Sequence, residues 1–158
     1  MQKELTYEDI QIGDRAAFSK TISEFDIYQF AGITGDFNPM HIDEEFADKT
    51  IFKDRIAHGL LTGSFISTVL GMKLPGPNSI YLSQNFRFTA PVKVGDTIKA
   101  VVEVIEKQND KKFIKLKTRV WNQRQEMVVD GEALVMKKQL DSQKSHSDGE
   151  TISAVDKQ

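Results

Sequence analysis

The second half of the chain alternates apolar and polar residues with a period of two, and this pattern constrains the fold more than any other feature. Four runs show it, namely Ile80–Phe88, Ile98–Val104, Ile114–Val120 and Met127–Met136. Turn-forming residues separate these runs, at Ala90–Pro91, Gly95–Asp96, Asn109–Asp110 and Gln123–Gln125. Alternation of this kind is typical of strands with one buried face. We therefore predict four consecutive strands in an antiparallel meander, joined by an earlier strand near Ala16–Ile22.

A sheet with one apolar face needs a cover, and one segment can supply it. From Gly59 to Leu70 the apolar residues recur at helical spacing, and Leu74–Pro75 ends the helix. Gly59, Gly63 and Ser67 lie four residues apart, so they form one row that packs closely on the sheet or leaves space for a ligand. The predicted class is α+β, with a curved antiparallel β-sheet wrapped around this central α-helix.

A shorter helix is predicted upstream of the central one. Ser23 and Asp26 have the spacing of a capping box, which marks a helix start, and Gly32 is the predicted stop.

Length, charge and cysteine content exclude several classes of protein. A chain of 158 residues suits one domain, which we place at residues 1–139, followed by a flexible polar C-terminal tail at 140–158. The net charge of −2 argues against a nucleic-acid partner. The absence of cysteine excludes disulfides and thiolate chemistry. With no apolar run long enough for a signal peptide or a membrane span, we expect a cytoplasmic protein.

The densest group of polar residues lies between the two predicted helices. Asn38–Pro39 marks a turn, which can bring Asp36 and His41 to the same point in space. A carboxylate beside an imidazole is common equipment for moving protons to and from a bound water. The alternative is structural: Asp36 and Asn38 bond their own backbone, and His41 is an interior histidine.

A second candidate lies where the central helix begins. The first amides of a helix lack internal acceptors, and Gly59 has no side chain to keep a ligand carbonyl away. Its backbone N–H therefore suits an oxyanion hole, with His58 as a simple helix-entry residue. His41, Asp43 and His58 could also form a two-histidine, one-carboxylate metal set. Their spacing gives that reading no support, so we predict no metal.

The two candidates together carry a family resemblance. The segment Gly35–His41, followed by Ala47 and by His58–Gly59, resembles the signature of the MaoC-like family, which includes the (R)-specific enoyl-CoA hydratases. The resemblance runs from Tyr7 to Lys138, and the residues from Leu74 to Gln84 are similar to the bacterial single-domain branch that supplies polyhydroxyalkanoate synthesis. It implies a single hot-dog fold, usually paired into a homodimer.

The resemblance also implies a role for each residue and a reaction. Asp36 and His41 match the catalytic pair that activates water, and the Gly59 N–H matches the group that binds the thioester oxygen. Ser67 matches a position that supports the aspartate, and Asn38 is expected to be structural. The implied reaction is reversible syn hydration of a trans-2-enoyl-CoA to an (R)-3-hydroxyacyl-CoA. The acyl-CoA is the substrate, and no separate cofactor is expected.

Two other functions stay open at this point. A hot-dog acyl-CoA thioesterase would hydrolyse the thioester and release free thiol. A non-catalytic acyl-thioester-binding module would bind the ligand without turnover, and a fold by itself decides nothing about function. A binding module has no need of an acid–base pair, whereas a thioesterase has no need of the Asp36–His41 turn.

Overall fold

The computed structural model describes residues 4–138, which form five strands and four helices. The strands are β1 (Arg15–Thr21), β2 (Ser79–Phe88), β3 (Thr97–Gln108), β4 (Phe113–Asn122) and β5 (Met127–Lys137). The helices are α1 (Glu24–Thr34), α2 (Pro39–Ile42), α3 (Glu44–Asp48) and α4 (Gly59–Met72). The predicted α+β class is confirmed, with one curved antiparallel sheet around α4.

The strands form one sheet in the order β1-β3-β4-β5-β2, with every neighbouring pair antiparallel. The alternation predicted in the second and third runs is confirmed, because every second residue from Ile98 to Val104 and from Ile114 to Val120 is buried. Leu61, Ile66 and Val69 of α4 are buried in the same cluster. The apolar face of the sheet is thus covered by α4, as the pattern requires.

The predicted four-strand meander is wrong for its first strand. β3, β4 and β5 do follow one another across the sheet, but β2 pairs with β5 and not with β3. Residues 89–96 link β2 to β3, and this connection is too long for a tight hairpin. It carries the chain across the end of the sheet, so that β3 lies next to β1. The turn signals at Ala90–Pro91 and Gly95–Asp96 are the two ends of that crossing.

A bulge in β2 also changes which of its side chains face α4. Tyr81 pairs with Val135 and Ser83 with Leu134, so Leu82 is an extra residue in the strand. An extra residue moves the side chains that follow it to the opposite face. Phe86 and Phe88 therefore face α4, whereas Ile80, predicted on the same face, does not share it.

The small residues of α4 allow the close approach that the sequence suggests. A Cβ atom added to Gly59 would lie 3.0 Å from the Phe88 ring, and one added to Gly63 would lie 3.0 Å from the Phe86 ring. The first two members of the row are therefore contact points between α4 and β2.

The start of α1 is as predicted, but its end is not. Ser23 and Asp26 form the capping box, and the helix continues past Gly32 to Thr34. Gly35, at a φ of 78°, ends it in the left-handed region that glycine adopts readily.

Two further expectations concern a membrane-spanning segment and the C-terminal tail. No helix within residues 4–138 is both long enough and apolar enough to cross a membrane. The predicted tail at 140–158 lies outside the described residues.

Candidate active site

Asp36 lies in the turn between α1 and α2, and local hydrogen bonds hold it there. Its N–H donates to Thr34 Oγ1 at 3.2 Å, and its Oδ1 accepts from the Asn38 N–H at 3.2 Å. The local bonding considered in the structural alternative therefore exists. The side chain is still 53% exposed, so the carboxylate is anchored at one oxygen and accessible to a ligand or water.

His41 is held by the segment that precedes α4. Its Nδ1 lies 2.7 Å from the Ile56 carbonyl oxygen, and the residue is 7% exposed. A carbonyl oxygen can only accept, so Nδ1 carries the hydrogen in the neutral ring and Nε2 keeps its lone pair. His41 is therefore arranged as a proton acceptor at Nε2.

The N-terminus of α4 differs from the starts of the other three helices in the described chain. The side chains of Ser23, Asn38 and Asp43 each accept a hydrogen bond from the helix that they begin. His58, the corresponding residue of α4, makes no such bond. The first N–H groups of α4, that of Gly59 included, therefore lack the usual side-chain acceptor and suit a developing negative charge.

His58 is the residue of this site to which the sequence reasoning gave no role beyond the helix start and the rejected metal set. It is 2% exposed, and its ring lies 3.8 Å from the His41 ring, centroid to centroid. Its Nε2 lies 2.9 Å from the Asp36 carbonyl oxygen and 4.0 Å from Asp36 Oδ2. A signal was present in the sequence, because histidine stands at a position where Ser, Thr, Asp or Asn is the favoured cap.

Burial and charge both act on His41. Its pKa lies below the ordinary histidine value of 6.5, mainly because burial disfavours the imidazolium, and the neighbouring His58 acts in the same direction. The hydrogen bond to Ile56 and the Asp36 charge oppose this change without reversing it. His41 is therefore neutral, and able to accept a proton, at pH 7.

An apolar cavity of about 410 Å³ adjoins the site. His41 and Gly59 belong to its wall, together with apolar side chains that include Phe52, Phe88 and Val128. Its volume falls within the usual range for small-molecule sites. A ligand with an apolar chain can therefore reach His41 and the start of α4 together.

The remaining two predicted site residues lie in different places. Asn38 caps α2, with Oδ1 accepting from the Met40 N–H at 3.2 Å. Ser67 lies on an exposed part of α4, two turns or about 12 Å along the axis from Gly59. No hydrogen bond joins Ser67 to Asp36 within residues 4–138, so a supporting role toward the aspartate has no contact in a single chain.

The residues that could hold a metal ion differ from the His41, Asp43 and His58 set considered from the sequence. Asp43 is occupied in capping α3, where Oδ1 accepts from the Phe46 N–H at 3.0 Å. Asp36, His41 and His58 instead place one possible ligand atom each within 4.8 Å of one another. Those donors could suit a transition metal, and the absence of a metal stays a prediction.

Comparisons with known proteins agree with this geometry. A family model described as a MaoC like domain matches residues 9–145. An (R)-specific enoyl-CoA hydratase of Rhodospirillum rubrum is 49% identical over 82% of this chain and 90% of its own. A 3-hydroxybutyryl-CoA dehydratase of Methylorubrum extorquens is 46% identical over 83% of each chain. The structure of R-hydratase PhaJ1 from Pseudomonas aeruginosa, in the unliganded form, superposes with a TM-score of 0.83 at 44% identity, covering 87% of this chain and 88% of that one.

Proposed function

The chain belongs to the MaoC-like domain family, and we infer from this membership and from the site that it is an (R)-specific enoyl-CoA hydratase. The reaction is the reversible hydration of a trans-2-enoyl-CoA to an (R)-3-hydroxyacyl-CoA. One observation carries the inference: Asp36, His41 and the uncapped start of α4 meet beside an apolar cavity.

In the proposed mechanism, the N-terminus of α4 activates the substrate. The Gly59 N–H donates a hydrogen bond to the thioester oxygen as that oxygen gains negative charge, which makes Cβ electrophilic. Gly59 has no side chain to stand between the thioester and the amide. Its α-carbon packs against the Phe88 ring, which lies 3.0 Å from the position of an added Cβ. The acyl chain then extends into the cavity whose wall holds His41 and Gly59.

Asp36 and His41 share the water in this mechanism. The water oxygen forms a bond to Cβ as the C=C π bond is lost, and one O–H proton passes to the pair. A proton from the pair is then delivered to Cα on the same face, so every atom of the water ends in the product. His41 Nε2 and Asp36 Oδ2 are the atoms left free for this work by their hydrogen bonds.

The same geometry weighs against the two alternatives. A thioesterase needs one carboxylate base near a helix N-terminus, and has no use for a buried histidine held as an acceptor beside the aspartate. A binding module would gain nothing from a histidine whose pKa is lowered by burial next to a carboxylate.

The deciding experiment is hydration of crotonyl-CoA, with the product assigned by enantiomer-specific 3-hydroxyacyl-CoA dehydrogenases. We expect formation of the (R) product alone. Release of free thiol without hydration would identify a thioesterase. Tight acyl-CoA binding without either reaction would identify a binding module.

We also propose that the reaction needs no bound cofactor or metal, because water and the thioester supply every reacting atom. Prolonged dialysis against EDTA should leave kcat and KM unchanged. Loss of activity on chelation, restored by a single divalent ion, would assign a metal to Asp36, His41 and His58 instead.

We propose a homodimer as the working unit, paired along β2. This strand lies at one edge of the sheet, where its outer backbone groups have no neighbouring strand within residues 4–138. Tyr81 and Leu82 on it are 39% and 41% exposed, and Phe88 is 49% exposed. A ten-residue apolar edge strand invites pairing with another strand. A second copy of the same strand, running antiparallel about a two-fold axis, satisfies both the backbone groups and the apolar side chains.

A further inference from the structure

His58 has no role in the mechanism above, yet it contacts both residues of the proposed pair. Its Nε2 is 2.9 Å from the Asp36 carbonyl oxygen, and its ring stacks on His41 at 3.8 Å with an angle of 31° between the planes. On another side, the ring of Phe30 from α1 packs against it at 5.0 Å. His58 is therefore enclosed between α1, the Asp36 turn and α2.

The hydrogen bond of His58 determines which ring nitrogen carries the hydrogen in the neutral ring. The Asp36 carbonyl can only accept, so Nε2 carries the hydrogen and Nδ1 is left with a lone pair. Nδ1 is buried, and it has no hydrogen-bond partner within residues 4–138. An unpartnered buried nitrogen costs stability, so an apolar side chain would serve better if packing were the only purpose.

The bond from His58 also joins two parts of the site that are distant in sequence. Asp36 and His58 are separated by 22 positions, and His58 immediately precedes Gly59. The other hydrogen bonds of Asp36 go to Thr34 and Asn38, within its own turn. The His58 bond is thus the link, within the described chain, that sets Asp36 relative to the start of α4.

We propose that His58 is a positioning residue of the hydratase reaction, which holds the Asp36 turn against the oxyanion N–H and sets the plane of the His41 ring. The inference rests on the proposed function. Catalysis by oriented groups is sensitive to small displacements, because a shift of about 1 Å can cost about 10²-fold in rate. Loss of His58 should accordingly lower kcat, while leaving the cavity that binds the acyl chain intact.

The test compares three substitutions at position 58 with one matched control. His58→Gln keeps an amide N–H near the position of Nε2. His58→Asn has the same amide on a side chain one methylene shorter, so its N–H falls short of that position. His58→Leu has no hydrogen-bond donor. Phe30→Leu is the control, because it removes packing from the same ring without touching the hydrogen bond. With crotonyl-CoA, we expect His58→Leu and His58→Asn to lower kcat about 10²-fold with KM nearly unchanged. His58→Gln should recover at least about tenfold, and Phe30→Leu should stay near wild type.

The pH profile supplies a readout that loss of the Phe30 contact should leave in place, because the Phe30 ring packs on His58. The groups that face His58 are His41 from α2 and Asp36 from the turn, together with uncharged Phe30 from α1. The electrostatic interaction with His58 is one of the causes that lower the pKa of His41, after burial. In His58→Gln the acid limb of kcat should move up toward pH 6.5, and in Phe30→Leu it should stay in place.

The outcomes separate this inference from the function on which it rests. A wild-type protein that does not hydrate crotonyl-CoA overturns the proposed function and the role of His58 with it. Active wild type with unchanged kcat in His58→Leu overturns the role of His58 alone. If His58→Leu does not fold, the Gln and Asn variants decide the question: equal kcat values in these two variants would overturn the role of His58.

Discussion

Asp36 precedes α2 and Asp43 follows it, and the two carboxylates have different hydrogen-bond partners. Asp43 accepts a hydrogen bond from the Phe46 N–H and so caps α3. Asp36 uses one oxygen within its turn and leaves the other near His58 Nε2, at 4.0 Å. The difference lies in which backbone groups surround each carboxylate, and both residues can be tested with the same substitution.

Asp36→Asn should lower kcat for crotonyl-CoA hydration by about 10²–10⁴-fold, because an amide cannot take a proton from water. The fold should be kept, since Asn retains an oxygen for the Asn38 N–H. Asp43→Asn is the control, and it should keep nearly full activity because asparagine is also a good cap. Steady-state kinetics and thermal unfolding of both variants would check this. Equal activities in the two variants would remove Asp36 from the proposed pair.

His41 predicts the pH dependence of the reaction. Because burial lowers its pKa, kcat/KM for hydration should stay level as the pH falls to 6.5 and decline only below it. The free energy of unfolding should depend on pH in the same direction as the rate. The stabilisation that depends on neutral His41 is complete above pH 6.5, and it is lost as the pH falls through the lowered pKa of His41. A rate profile between pH 4.5 and 8 would test this. An acid limb centred above 6.5 would contradict it.

At the scale of single elements, contacts between small and aromatic residues hold β2 in place. Gly59 and Gly63 of α4 meet Phe88 and Phe86, so α4 and β2 approach closely along one row. On the other side of β2, a Cβ atom on Gly131 of β5 would lie 2.1 Å from the Asn85 carbonyl oxygen. β2 is thus bounded by glycines on both the helix and the neighbouring strand.

Gly131→Ala should lower the free energy of unfolding by about 3 kcal/mol, because a backbone carbonyl cannot move away without disturbing the pairing of β2 with β5. Gly32→Ala is the matched control, since Gly32 lies inside α1 with open space around its Cα. That change should raise the free energy of unfolding by about 0.5–1 kcal/mol. Urea unfolding followed by circular dichroism would measure both. A neutral Gly131→Ala would contradict the tight contact.

At the scale of the whole molecule, the two edges of the sheet differ. β1 at one edge is short, with Arg15, Ser19 and Lys20 among its residues, and such an edge discourages pairing. β2 at the other edge is longer and carries exposed apolar side chains. The asymmetry assigns the proposed dimer contact to β2.

Leu82→Lys should convert the proposed dimer to a monomer, because it places a charge from each copy in the proposed apolar contact along β2. Ile51→Lys is the control, since Ile51 is 89% exposed and lies far along the chain from β2, in the segment after α3. Light scattering coupled to size-exclusion chromatography would give both masses. A wild-type monomer, or a Leu82→Lys dimer, would rule out pairing through β2.

The sequence by itself determined the local parts of this protein. The alternation in β3 and β4, the capping box of α1 and the extent of α4 all depend on neighbouring residues, whose spacing is visible in the chain. The turn from Asp36 to His41 could be predicted for the same reason, and the structure places one ligand atom of each residue within 4.8 Å of the other.

Only the tertiary structure decided the features that join distant residues. The place of β2 beside β5 follows from a crossing connection, and the bulge at Leu82 then selects which of its side chains face α4. The contacts of His58 could not be read locally, because its hydrogen bond spans 22 positions and its ring contacts come from α1 and α2. Ser67 was expected to support Asp36 because it matches a family position with that role. Within the described residues of one chain, however, no hydrogen bond joins the two. Periodicity reports which face of an element is buried, whereas packing determines what that face meets.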